Sequence, residues 1–272
     1  MHIVDLLLGS PLRAADESRE RIGVLGGIPL LGLDALSSAA YGPEALLTVL
    51  APLGDAGLRY IVALTLVIVA VLAAVALSYR QTIVAYPNGG GSYTVSKENL
   101  GSTGSLVAAA ALGLDYVLTV AVGISAGVGA VSSAMPGLLP HTLALALGVL
   151  LLLTLINLRG IRSSSGALAI PTLAFLGSLG TVLVVGLARA AVHGGSPPPL
   201  VTPPPVAPAA VAAATPWLLM RAFANGTTAM TGVEAVSNAV PLFREPRVER
   251  ARQTLTAIVL LLMALLVGIA LL

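Results

Sequence analysis

The chain is 272 residues long, 57% apolar and only 10% charged. Soluble domains carry about 25% charged residues, so this composition cannot coat a water-facing surface, and a soluble enzyme and a disordered chain are both excluded. A net charge of +2 without a basic tract excludes a nucleic-acid partner, and the lack of cysteine excludes disulfides, thiolate catalysis and Cys-ligated metal. His2, His141 and His193 are too few and too scattered for a metal cage, and no cofactor is expected.

What remains is an integral membrane protein of the helical kind, in which each crossing of the hydrocarbon core takes about 20 apolar residues. Residues 1–21 hold Arg13, Asp16, Glu17, Arg19, Glu20 and Arg21 and read as a cytoplasmic tail, because the apolar start at 3–8 is too short for a signal peptide. Residues 22–272 then form one transmembrane domain of about seven helices. The expected spans are 22–50 (interrupted by polar residues), 60–79, 103–135, the short 142–157, 167–188, 217–243 (also interrupted) and 254–272. The last run reaches the final residue without a polar anchor, as expected of a C-terminally truncated fragment.

If seven spans alternate, Arg13, Arg19, Arg21, Arg80, Lys97, Arg159, Arg162, Arg244, Arg247, Arg250 and Arg252 all fall on one side, against only Arg59, Arg189 and Arg221 on the other. Basic residues mark the cytoplasm, so the N-terminus is expected there, in a multi-pass protein of the plasma membrane. The proline-rich segment 196–216 then lies outside as a stiff spacer. The glycine-dense Tyr86-Pro87-Asn88-Gly89-Gly90-Gly91-Ser92-Tyr93 lies inside; it lacks the Gly-Lys-Ser/Thr of a phosphate loop, and tight packing or a hinge is its expected use.

Asp34, Glu44, Asp115 and Glu234 sit within the expected spans, where no lysine is present to neutralise them. A carboxylate near the bilayer centre costs roughly 2.5–3.5 kcal/mol on insertion scales, so a mobile cation, a proton or a substrate ammonium is the expected counter-charge. Glu44, close to the end of its span, is better read as an interfacial residue. Oxygen ligands surround the others: Tyr41 lies two helical turns from Asp34, Thr119 one turn from Asp115, and Thr231 three residues from Glu234 on the same expected face. Gly42-Pro43 is a poor continuation of a helix and predicts an opening in the first span. Gly123 and Gly127 suit close helix packing.

An internal repeat links the two interrupted spans. Ser37-Ser38-Ala39-Ala40-Tyr41-Gly42-Pro43-Glu44-Ala45 aligns with Thr227-Thr228-Ala229-Met230-Thr231-Gly232-Val233-Glu234-Ala235, with four identities and two Ser/Thr exchanges. Paired broken helices in opposite orientation with a midplane site are the pattern of secondary transporters.

Gly32-Leu33-Asp34-Ala35-Leu36-Ser37-Ser38-Ala39-Ala40-Tyr41-Gly42, the glycine loop, Leu114-Asp115-Tyr116-Val117-Leu118-Thr119 and Thr231-Gly232-Val233-Glu234-Ala235 together resemble the KUP/KimA-type branch of the amino acid–polyamine–organocation superfamily. The resemblance implies an all-α, LeuT-type inverted-repeat fold with discontinuous helices 1 and 6, and proton-coupled potassium uptake. By motif match it implies potassium ligation by Asp34, Tyr41, Asp115, Thr119 and Thr231, with Tyr116 also lining the path and Glu234 as the proton-coupling carboxylate. Lipid and potassium are the implied partners, and a homodimer is the assembly it allows. The chain departs from the family at Gly123, where a hydroxyl is expected one turn beyond Thr119, and in lacking the later helices and the soluble nucleotide-sensing domain that often follows them.

Two other readings compete. An amino acid permease would hold a substrate carboxylate at the breaks, where Asp34 and Glu234 would repel it. An intramembrane aspartyl protease would pair Asp34 with Asp115, but Asp115-Tyr116 reverses the order that chemistry uses.

Overall fold

A computed structural model describes residues 21–158, 161–195 and 214–272. The tail before Arg21, Arg159 and most of the proline-rich segment lie outside the described residues. The protein is all-α, as expected: among the described residues the only extended pairing is one parallel bridge between Ile22 and Phe243. The long helices are α1 (Val24–Leu50), α2 (Asp55–Ala85), α3 (Ser92–Ala134), α4 (Thr142–Leu158), α5 (Ile161–Val192) and, later, α8 (Arg247–Leu271). By length and composition, six helices among the described residues can cross a membrane.

The expected span 217–243 is broken, as its interruptions predicted. It consists of α6 (Pro216–Gly226), a 3-10 turn (Thr227–Met230), the single turn α7 (Ala235–Asn238) and a second 3-10 turn (Val240–Leu242). Thr231 is extended at φ −61°, ψ 150°, and Gly232 follows at φ +79°, a conformation that glycine alone adopts without strain. The first span behaves differently. α1 runs unbroken through Gly42-Pro43, so the expected discontinuity in helix 1 is not present. Proline removes one amide, but Gly42 has no Cβ to clash with the ring, and the residue before proline can therefore stay helical.

Compactness divides the chain into two units. One comprises Gly32–Arg80, Thr172–Val233 and Leu255–Leu272. Its core joins α1, α2 and α6 through Leu46, Leu50, Leu53, Ile68 and Ala222. Lipid tails are as apolar as leucine, so close packing rather than water exclusion holds such helices together. Small residues permit it: a Cβ on Gly32 would lie 2.8 Å from Ile258, and one on Gly226 would lie 2.7 Å from Ile68.

The other unit comprises the described part of Met1–Leu31 together with Gln81–Pro171 and Glu234–Thr254. Here Ile22 N donates to Leu242 O and Arg244 N donates to Ile22 O, each at 2.9 Å, which ties the chain before α1 to the chain before α8. α3 is bent at Gly101, φ +78°, just before the expected start of its membrane span at residue 103. A short link at Pro136–His141 returns the chain into α4.

Candidate functional site

In the first unit, Asp34, Ser37, Ser38 and Tyr41 follow the i, i+3, i+4, i+7 pattern that places side chains on one face of α1. This face meets the interrupted segment 227–233. Ser38 Oγ has one proton and two carbonyl acceptors, Ala35 O at 2.6 Å and Ala229 O at 2.7 Å. Tyr41 Oη lies 3.2 Å from Thr231 Oγ1. Thr231 donates to Thr228 O at 3.0 Å, so its single proton is committed and Tyr41 is the donor between the two hydroxyls.

Glycine makes the approach possible. A Cβ on Gly42 would lie 2.5 Å from Ala229 Cβ and 2.9 Å from its backbone nitrogen. One on Gly232 would lie 2.5 Å from Asp34 Oδ2, so the Asp34 carboxylate rests against bare backbone at the break. The two copies of the internal repeat thus pack on each other, and Tyr41 and Thr231, equivalent positions in the alignment, touch directly.

Glu234 belongs to the other unit and is buried, 9% exposed. The Tyr116 hydroxyl hydrogen-bonds its carboxyl and the Asp115 carboxylate lies within electrostatic range. Oε1 of Glu234 has no hydrogen-bond partner among the described residues. Glu234 O accepts from Ser237 N at 2.9 Å and from Ser237 Oγ at 2.9 Å. The glycine loop braces the same segment: Gly90 N donates to Ser237 O at 3.2 Å, and a Cβ on Gly91 would collide with the Asn238 side chain. Tight packing is therefore the loop's use, as its composition suggested.

The expected site residues fall into two groups, Asp34 with Tyr41 and Thr231, and Glu234 with Asp115 and Tyr116. Thr119 is half-buried one turn further along α3, and Gly123 faces open space. Thr231 and Glu234 do not share a helical face, because the left-handed Gly232 lies between them. Glu44 is exposed. Ser38 and Asn238 were missed; each lies four residues after a key carboxylate, a spacing that marks a shared face when the helix is continuous.

The first group offers carboxylate, phenol and hydroxyl oxygens, the hard donors that alkali and alkaline-earth cations take. Among the described residues no three acidic or histidine side chains gather as a divalent cage would need. Removing the Tyr41 hydroxyl (Tyr41→Phe) is expected to cost about 1 kcal/mol. In a double-mutant cycle with Thr231→Val, read by thermal unfolding, the two losses should not add.

A family model described as amino acid permease matches residues 35–272. The potassium transporter KimA of Bacillus subtilis (strain 168) is 40% identical over 266 residues, covering 98% of this chain and 43% of the relative. The chain therefore spans less than half the length of that curated relative. The family and this relative are transporters, which sets aside an enzyme and with it the protease reading. Six candidate spans, a packed break between them and a match over most of the sequence agree: this multi-pass membrane chain belongs to the amino acid permease family.

Proposed function

We propose that the chain forms the ion-binding half of a proton-coupled potassium uptake permease of the plasma membrane, with its N-terminus in the cytoplasm. The observation that carries this reading is the seating of the Asp34 carboxylate against the backbone of Gly232, beside the Tyr41–Thr231 pair. A carboxylate set beside a phenol and a hydroxyl oxygen offers the hard donors that suit a small transported cation. The 40% identity to a potassium transporter supports the choice of ion. Potassium exchanges its water for Asp34, Tyr41 and Thr231 oxygens, and in the other unit Glu234, beside Asp115, is the candidate proton carrier. Rocking of helices about the break exposes the site to each side in turn.

Rubidium uptake by the full-length protein tests it. Asp34→Asn keeps the shape and removes the charge, and uptake at low rubidium should fall at least about 100-fold, since a contact charge pair at an effective dielectric of 20 is worth several kcal/mol. Wild-type uptake from Asp34→Asn would end the proposal. The family's description favours a second reading, an amino acid substrate. Amino acids that compete with rubidium, or that are themselves accumulated, would decide for it.

A further inference from the structure

A basic pocket of about 690 Å³ lies at the start of α1, within the unit that holds Ile22 and Arg244, and none of the candidate ion ligands lines it. Arg21, Arg244 and Arg250 line it together with Gly23, Glu249 and Gln253. Among the described residues that line it the one carboxylate is Glu249, which accepts from Gln253 Nε2 at 3.0 Å. Arg244 donates Nε to Arg21 O at 2.9 Å, which leaves its terminal nitrogens available. The Arg250 guanidinium comes within 3.6 Å of where a Cβ on Gly23 would stand, so it lies over the first turn of α1. Among the described residues the guanidinium groups of Arg21 and Arg250 have neither a hydrogen bond nor an ion pair.

The backbone adds to this charge. The first bond of the α1 ladder runs from Gly27 N to Gly23 O at 2.9 Å. The amides of Val24, Leu25 and Gly26 precede it and have no partner inside the helix, and Gly23 has no side chain to cap them. Among the described residues, three arginines against one glutamate give the pocket a net positive lining beside these amides.

We propose that this pocket binds a phosphate-bearing anion. Guanidinium forks match phosphate oxygens in pairs, and the free amides of a helix start complete the cradle. The pocket stands at the polar ends of two candidate membrane spans, Val24–Leu53 and Arg247–Leu271, the depth at which lipid phosphates lie. A lipid head group and a soluble phosphate share this chemistry. Either would clasp the start of α1 to the start of α8, two helices whose approaches are already tied at Ile22. The site is independent of which species is transported.

The test uses the full-length protein in nanodiscs of zwitterionic phosphatidylcholine, with thermal unfolding as the readout. One arm titrates inorganic pyrophosphate at an ionic strength held constant with chloride. The other replaces part of the lipid with phosphatidylglycerol. Stabilisation in the first arm alone identifies a soluble phosphate, and in the second alone a head group; both support the site if Arg250→Gln weakens the response about 10- to 100-fold, the worth of a charge-assisted hydrogen bond. Gly23→Asp guards against a variant that only unfolds. It caps α1 and sets a tethered carboxylate beside Arg250, so it should raise the unfolding temperature without anion and abolish the response to anion. No stabilisation in either arm, or a response that survives both substitutions, overturns the proposal.

Discussion

Replacing Glu234 by Gln should leave the protein folded and separate ion uptake from proton movement. Glutamine has the same shape, and its amide oxygen can accept the bond from Tyr116 that the carboxyl accepts now. It cannot bind and release a proton. When one proton moves per cycle and its delivery limits the rate, uptake changes by up to about tenfold per pH unit, because one unit of pH is one factor of ten in proton activity. The wild-type protein in proteoliposomes should show such a slope between two external pH values, and Glu234→Gln should flatten it. Asp115 is the neighbouring acid within electrostatic range, which makes Asp115→Asn the natural companion. A Glu234→Gln protein with the wild-type slope would remove the assignment, and loss of the slope in Asp115→Asn alone would move it to Asp115.

These two carboxylates show where sequence stops being informative. Each was recognisable as an acid in an apolar span, since that follows from neighbours along the chain. Their proximity was not, because Asp115 and Glu234 are separated by more than a hundred residues and no local pattern encodes which helices meet. The break at 231–234 was legible from the interruption of its apolar run and from the repeat. The continuity of α1 at Gly42-Pro43 was not: whether proline opens a helix depends on what supports it, and here Ala229 presses against Gly42 from the other repeat copy. Pairing Thr231 with Glu234 on one face failed for the opposite reason, since spacing arguments presuppose a helix where the chain has an extended residue and a left-handed glycine. Alignment of the two copies suggested an inverted repeat, yet only the folded chain reveals that equivalent residues touch.

That contact makes Gly232→Ala the most demanding test of the site. The backbone at φ +79° admits an L-residue only at about 1–2 kcal/mol, and the new methyl carbon would stand 2.5 Å from Asp34 Oδ2, inside any normal contact. Asp34 Cγ and Cβ lie 2.8 and 2.9 Å from the same point, and Cβ is fixed to α1, so the break itself must shift as well as the carboxylate, and the hydroxyl pair should lose its anion. Stability should fall by at least the backbone strain, and rubidium affinity should fall about tenfold or beyond. Gly123→Ala is the matched control: nothing lies within 4 Å of its added carbon, and alanine favours an exposed helix position by roughly 0.5–1 kcal/mol. It should leave uptake unchanged and raise stability slightly. Equal effects of both substitutions on uptake would mean that Asp34 does not act through its seat on Gly232. Loss of uptake confined to Gly232→Ala, in a protein that still unfolds cooperatively, would tie cation affinity to the packing of Asp34 against one backbone turn.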